Sequence, residues 1–122
     1  MSFDESEGGQ NEKELFAGHF GVISYNNSGL SYLYIGDGTK ISSGRYTIEA
    51  KDKNNISANL EIKEDEIIVS SNQHTIIHLP FSHDGKIIYE VNGDRTEVIA
   101  KKAKNNLWMI EMPPVMNAVL IK

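Results

Sequence analysis

Histidine is the residue best suited to chemistry in this chain of 122 residues, and three of the four histidines, His74, His78 and His83, fall close together. On a helix, the HxxxH pair His74 and His78 would make a good metal clamp. The surrounding residues, HTIIHLP, are β-branched and predict a strand instead. Strand positions four apart share a face but lie about 13 Å from each other, too far for one ion. His78 and His83 can meet only across a bend at Pro80, with Asp84 as a third ligand. These three are loop candidates, and the expectation is that they hydrogen-bond at the surface and hold no metal. Ser82, His83 and Asp84 are adjacent and point in different directions, whereas a catalytic triad must converge in space. Glu64, Asp65 and Glu66 form a charged turn edge with the solvated character usual for such clusters. No glycine-rich phosphate cradle, P-loop or zinc signature occurs. Cysteine is absent, which removes disulfides and thiolate metal sites. No constellation supports catalysis, and no cofactor is expected.

The aromatic residues form the second candidate site. Tyr32 and Tyr34 alternate along LSYLYI and so share one face of a strand. Tyr46, Tyr89 and Trp108 lie on other predicted strands. Converging on one surface, the five would suit a sugar, a flat apolar ligand or a protein partner. Aromatic residues on strands also pack cores, which is the competing expectation.

The elements that must position these groups are all extended. LFAGHFGVISY (15–25) places Phe16, Phe20 and Val22 on one face, and Leu15, Ala17, Ile23 and Tyr25 on the other. NNSG and GDGT are predicted turns. In RYTIEA, Tyr46, Ile48 and Ala50 point inward. ISANLEIK alternates cleanly, as a half-buried antiparallel strand should. EIIVS and HTIIHLP follow, and Pro80 ends the second because it lacks a ladder donor. KIIYEV and RTEVIA flank Asn92-Gly93, the dipeptide suited to a type I′ hairpin turn. That register sets Val91 opposite Asp94 and Glu90 opposite Arg95, a favourable charge pair. NLWMIEM and VMNAVLIK flank a Pro113-Pro114 break. The last run is apolar on both faces and belongs inside a sheet. About 8–10 short strands at this spacing predict a single all-β, antiparallel, meander-like domain, with a barrel preferred over a sandwich.

Composition narrows the function classes. The chain has 12 basic and 17 acidic residues, a formal charge of -5, so it lacks the basic footprint of a nucleic-acid binder. Asp4, Glu5, Glu7, Glu12 and Glu14 crowd the start. Setting them and Lys13 aside leaves 11 basic and 12 acidic residues. Residues 1–14 are therefore expected to be a flexible acidic arm, ahead of a domain over 15–122. No run is long enough for a membrane span. The start has neither a basic nor an apolar signal region, which fits the cytoplasm. Loss of a signal peptide from the natural protein would instead fit a periplasmic protein or lipoprotein.

LFAGHF, with Leu15, Gly18 and Phe20, resembles the Leu-x-Gly-x-Trp start of lipocalin-like barrels, with Phe20 in place of the tryptophan. GDGTKISSGRYTI is similar to the Asp-Gly, then Gly-x-Tyr, rhythm of small bacterial lipocalin-like lipoproteins. Together these segments cover about a third of the chain. The resemblance implies a small barrel that carries an apolar ligand. The residues themselves favour a non-catalytic module that engages a protein partner through a β face or loops, as a monomer or homodimer. Ile56, Leu60, Ile62, Ile87, Tyr89 and Val91 are bulky enough to fill a small barrel rather than leave it hollow.

Overall fold

The computed structural model describes residues 2–3, 14–52 and 54–122. The expected acidic arm falls largely outside the described residues. The elements are β1 (Ser2–Phe3), β2 (Glu14–Asn26), β3 (Gly29–Ser43), β4 (Tyr46–Ala50), β5 (Ile56–Ile62), β6 (Glu66–Ser71), β7 (Thr75–Leu79), β8 (Lys86–Val91), β9 (Asp94–Ile99), β10 (Lys101–Lys102), β11 (Trp108–Met112) and β12 (Val115–Ile121). Among the described residues the one helical piece is a 3-10 turn at Lys104–Asn106.

All strand pairs are antiparallel, and the strands join into one nearly closed barrel. The sheet path runs β10-β11-β7-β4-β3-β5-β6-β12-β8-β9, and β2 pairs with β3. The path returns on itself because β9 and β10 are consecutive, with only Ala100 between them.

Strand β3 shows how the sheet closes. Its first part, up to Gly38, pairs with β5, and its last part, from Lys40, pairs with β4. Breaks at the same level separate β4 from β5, β6 from β7, and β11 from β12. The sheet is therefore creased across its strands into two halves. One half holds β4, β7, β11 and the end of β3; the other holds β5, β6, β12, β8 and the start of β3. A straight β3 would set Leu30 and Ser43 about 43 Å apart. Yet Tyr25, the partner of Leu30, has its hydroxyl 2.8 Å from Ser43 Oγ. The ribbon is folded double, and strands that bend from one layer to the other make the corners.

The crease explains two departures from the sequence reading. Gly36-Asp37-Gly38 does not turn the chain; it lies within β3 as a bulge, opposite a matching register shift at Ala17/Gly18 in β2. A Cβ on Gly18 would lie 2.6 Å from Gly38 Cα, and one on Gly38 would lie 2.7 Å from the Ala17 carbonyl oxygen. Two backbones this close leave no room for side chains. Asp37 takes a left-handed φ of 52° there, and its carboxylate accepts a 2.9 Å hydrogen bond from Asn55 Nδ2. The shift also brings Phe16 and Ile23 to the same side. Both are buried, although strict alternation sets them on opposite faces.

The inner sides carry cross-strand rows. Phe16, Ile41, Ile48, Ile77 and Ile110 are successive partners across one half. Ile23, Leu33, Leu60, Val69 and Ala118 are successive partners across the other. Every one of these ten is buried. The Asn92-Gly93 hairpin forms with both residues at positive φ, 51° and 85°. Its register pairs Val91 with Asp94 and Glu90 with Arg95, and Arg95 Nη2 donates to Glu90 Oε1 at 2.7 Å. Strand β12 lies between β6 and β8, as its two apolar faces require.

Gly38→Ala should destabilise the fold by about 1–3 kcal/mol, the range for overpacking, because both obstructing atoms belong to backbone. Urea denaturation checks this; an unchanged midpoint would contradict the tight crossing.

Candidate functional site

Alternation along β3 sends Leu33 and Ile35 into the core and Tyr32 and Tyr34 to the outer face of the β5–β6 half. There the partners of Tyr34 are Asn59 on β5 and, next, Ser70 on β6; those of Tyr32 are Glu61 and Ile68. These outward rows line a groove of about 460 Å³, which Met116 and Asn117 of β12 close on the far side. Its volume lies in the range of ordinary ligand clefts.

Neighbouring residues fix the groove at its Gly36 end and on its β12 side. The Tyr34 ring lies over Gly36, where a Cβ would stand 2.9 Å from the Tyr34 hydroxyl. Phe20, the partner of Gly36 on β2, meets the Tyr34 ring edge-to-face, with centroids 5.8 Å apart, a favoured aromatic geometry. On the β12 side the Ser70 hydroxyl accepts from Asn117 N at 2.8 Å, and at the Gly36 end Asn72 Oδ1 accepts from Ser57 N at 2.9 Å. Asn59 makes no side-chain hydrogen bond among the described residues, so its amide is available to a ligand. Burial first, then the nearby Tyr34 and Glu61, raise the Tyr32 pKa above its ordinary value. The hydroxyl thus stays protonated and able to donate. Among the described residues Glu61 is the one ionisable carboxylate in the lining, and no basic residue lines the groove.

The other aromatics lie elsewhere. Tyr46, Tyr89 and Trp108 are partly buried and pack against the hydrophobic core. Burial raises the Tyr46 pKa, and the Arg45 charge offsets part of that rise. Tyr32 and Tyr34 therefore share a surface that the other three do not join. Phe20, 51% exposed, extends this surface, and so do Asn59, Ser70 and Asn117. Sequence reasoning missed them because pairing across β2, β5, β6 and β12 brings them together.

The histidines also separate. His83 Nε2 lies 3.0 Å from the Ile121 carbonyl oxygen, which ties the loop after β7 to the end of β12. Asp84 takes a left-handed φ of 55° in the same loop. His78 sits on the outer side of β7, between Thr47 and Met109. Its Nε2 is buried without a hydrogen-bond partner. Among the described residues no three His, Cys, Asp or Glu side chains gather as metal ligands. No helix among them is long and apolar enough to cross a membrane.

The family model for the endo-acting ulvan lyase C-terminal domain matches residues 2–62, half of the chain. The chain belongs to this family. The matched segment runs from β1 to the end of β5, so it contains the crease glycines, Phe20, both groove tyrosines, Asn59 and Glu61. No curated protein and no solved structure matches the chain.

Burial lowers the His78 pKa below its ordinary 6.5; Glu49 opposes this shift and Lys40 adds to it. For a histidine with a lowered folded pKa, the unfolded chain takes up the proton first. Stability is thus complete above pH 6.5 and falls as the pH drops from there towards the lowered value. The melting temperature of the wild type should fall more between pH 7 and pH 5 than that of His78→Gln. Parallel curves would contradict the assignment.

Proposed function

We propose that this domain is a non-catalytic carbohydrate-binding module that holds a sugar chain in the Tyr32–Tyr34 groove. The observation that carries this reading is two outward tyrosine rings beside a row of amide, hydroxyl and carboxylate groups. A sugar ring offers apolar C–H faces and polar hydroxyls at once. The tyrosines, about 6.8 Å apart along the strand, give flat apolar platforms for the faces. Asn59, Glu61 and Asn117 supply the mixed donors and acceptors that hydroxyls need. Family membership points the same way, since the family is named for the C-terminal domain of an enzyme that acts on ulvan. The site, rather than the fold, carries the argument.

The carrier alternative requires a hollow barrel. Leu33, Leu60, Ile67, Ile77 and Leu120 are fully buried within this one, which favours an exterior site. Engagement of a protein partner, the other reading, draws on a different surface. Ile99 is 78% exposed and borders an apolar hollow lined by Ile76, Val98, Met109 and Ile110.

Affinity electrophoresis through gels containing ulvan tests the carbohydrate reading. The wild type should be retarded. Tyr32→Ala and Tyr34→Ala should each weaken binding about tenfold, or roughly 1.4 kcal/mol, with little change in melting temperature. Equal retardation of variants and wild type, or free migration of the wild type, would overturn it.

A further inference from the structure

A second site lies where the folded sheet closes. The tips of the β2–β3, β3–β4 and β5–β6 hairpins meet there, beside the end of β12. Two adjoining hollows, of about 520 and 330 Å³, share Leu30 and Tyr46 as a common wall. Both residues pack against the core on one side, so the wall is firmly backed. Tyr25 stands across from it, 51% exposed, and its hydroxyl lies 2.8 Å from Ser43 Oγ.

The charge here runs against that of the chain. The formal net charge is -5, yet among the described residues Arg45, Lys63 and Lys122 line the two hollows against one side-chain carboxylate, that of Glu64. Arg45 Nη2 donates to the backbone carbonyls of Asn105 and Asn106, each at 3.2 Å. These neutral partners fix the guanidinium without cancelling its charge. Lys122 Nζ likewise donates to the Lys63 carbonyl. Among the described residues, Lys63 is the one of the three with a carboxylate within salt-bridge distance, Glu61 at 4.0 Å, with both side chains about half exposed. Such a pair is weak and leaves most of the lysine charge available.

We propose that this mouth binds an anionic sugar unit, with its ring against Tyr46 and Leu30 and its acidic group among Arg45, Lys63 and Lys122. The sugar class rests on the carbohydrate reading above; the preference for negative charge rests on these three cations alone. The two sites then divide the work: among the described residues the outer groove has no basic group, and the mouth supplies the charge complement. The domain thus engages an acidic polysaccharide at two points, and the mouth selects for charge.

An NMR titration of the full ¹⁵N-labelled chain, with sodium glucuronate, glucose and sodium acetate as separate probes, tests this. Glucuronate should shift the amides of Leu30, Arg45, Tyr46 and Lys63, and should bind at least tenfold more tightly than glucose or acetate. The affinity should fall as salt is raised. Arg45→Gln and Lys122→Gln should each weaken it about fivefold or more, and Lys51→Gln, a cation that lines neither the mouth nor the outer groove, should leave it unchanged. Equal response to glucuronate and glucose overturns the charge preference, and equal response to glucuronate and acetate overturns the sugar class. No shift at the mouth overturns the site. If Tyr32-dependent retention on ulvan persists in that last case, only the mouth fails; if retention is also absent, the carbohydrate reading fails with it.

Discussion

The close crossing of Gly18 and Gly38 governs the rest of this structure. With a Cβ on Gly18 placed only 2.6 Å from Gly38 Cα, β2 and β3 can bend together as one ribbon only if both positions lack side chains. The bend gives one long strand two neighbours on the same edge, β5 before the crease and β4 after it. It turns Phe16 and Ile23 to the same interior. It also folds the two isoleucine- and leucine-rich rows onto each other, which supplies the hydrophobic stabilisation of a cysteine-free domain. Without the crease the same strands would form an open sheet with one apolar face in water.

Function follows from how completely that interior is filled. Large aliphatic side chains occupy the space a lipocalin-like carrier would leave for its ligand, so the proposed binding surfaces lie on the outside. Two exterior surfaces then differ in chemistry. The outer groove combines tyrosine faces with neutral polar groups and one carboxylate. The mouth combines tyrosine with an excess of positive charge. Both depend on β3, which carries Tyr32 and Tyr34 along its first part and delivers Arg45 and Tyr46 just past its end. The crease sets the first part against the outer groove and brings the end to the mouth.

Much of the fold is legible in the sequence because the determining interactions are local. The Asn92-Gly93 turn specifies its own register, and Glu90 meets Arg95 as that register requires. The alternation of Ile56, Ala58 and Leu60 marks the buried face of β5. Bends whose cause lies across the sheet are not legible in this way. Gly36-Asp37-Gly38 has the composition of a turn; only the opposing Gly18 makes it a crease. The candidate site divides along the same line. Tyr32 and Tyr34 share a face by simple alternation, and the sequence shows it. Asn59, Ser70 and Asn117 join them through pairing over four strands, and the sequence carries no local mark of that. Tyr46, Tyr89 and Trp108 have the same residue character but pack against the core, because each lies at an inward or edge position of its strand.

On the proposed carbohydrate reading, β3, β5 and β6 present one sugar-binding surface. Mapping by ¹⁵N NMR during titration with ulvan fragments tests it most directly. Chemical-shift changes are expected at Tyr32, Tyr34, Asn59, Glu61 and Ser70, with the buried row from Phe16 to Ile110 unmoved. Fragments that bind while leaving β3, β5 and β6 unshifted would contradict it.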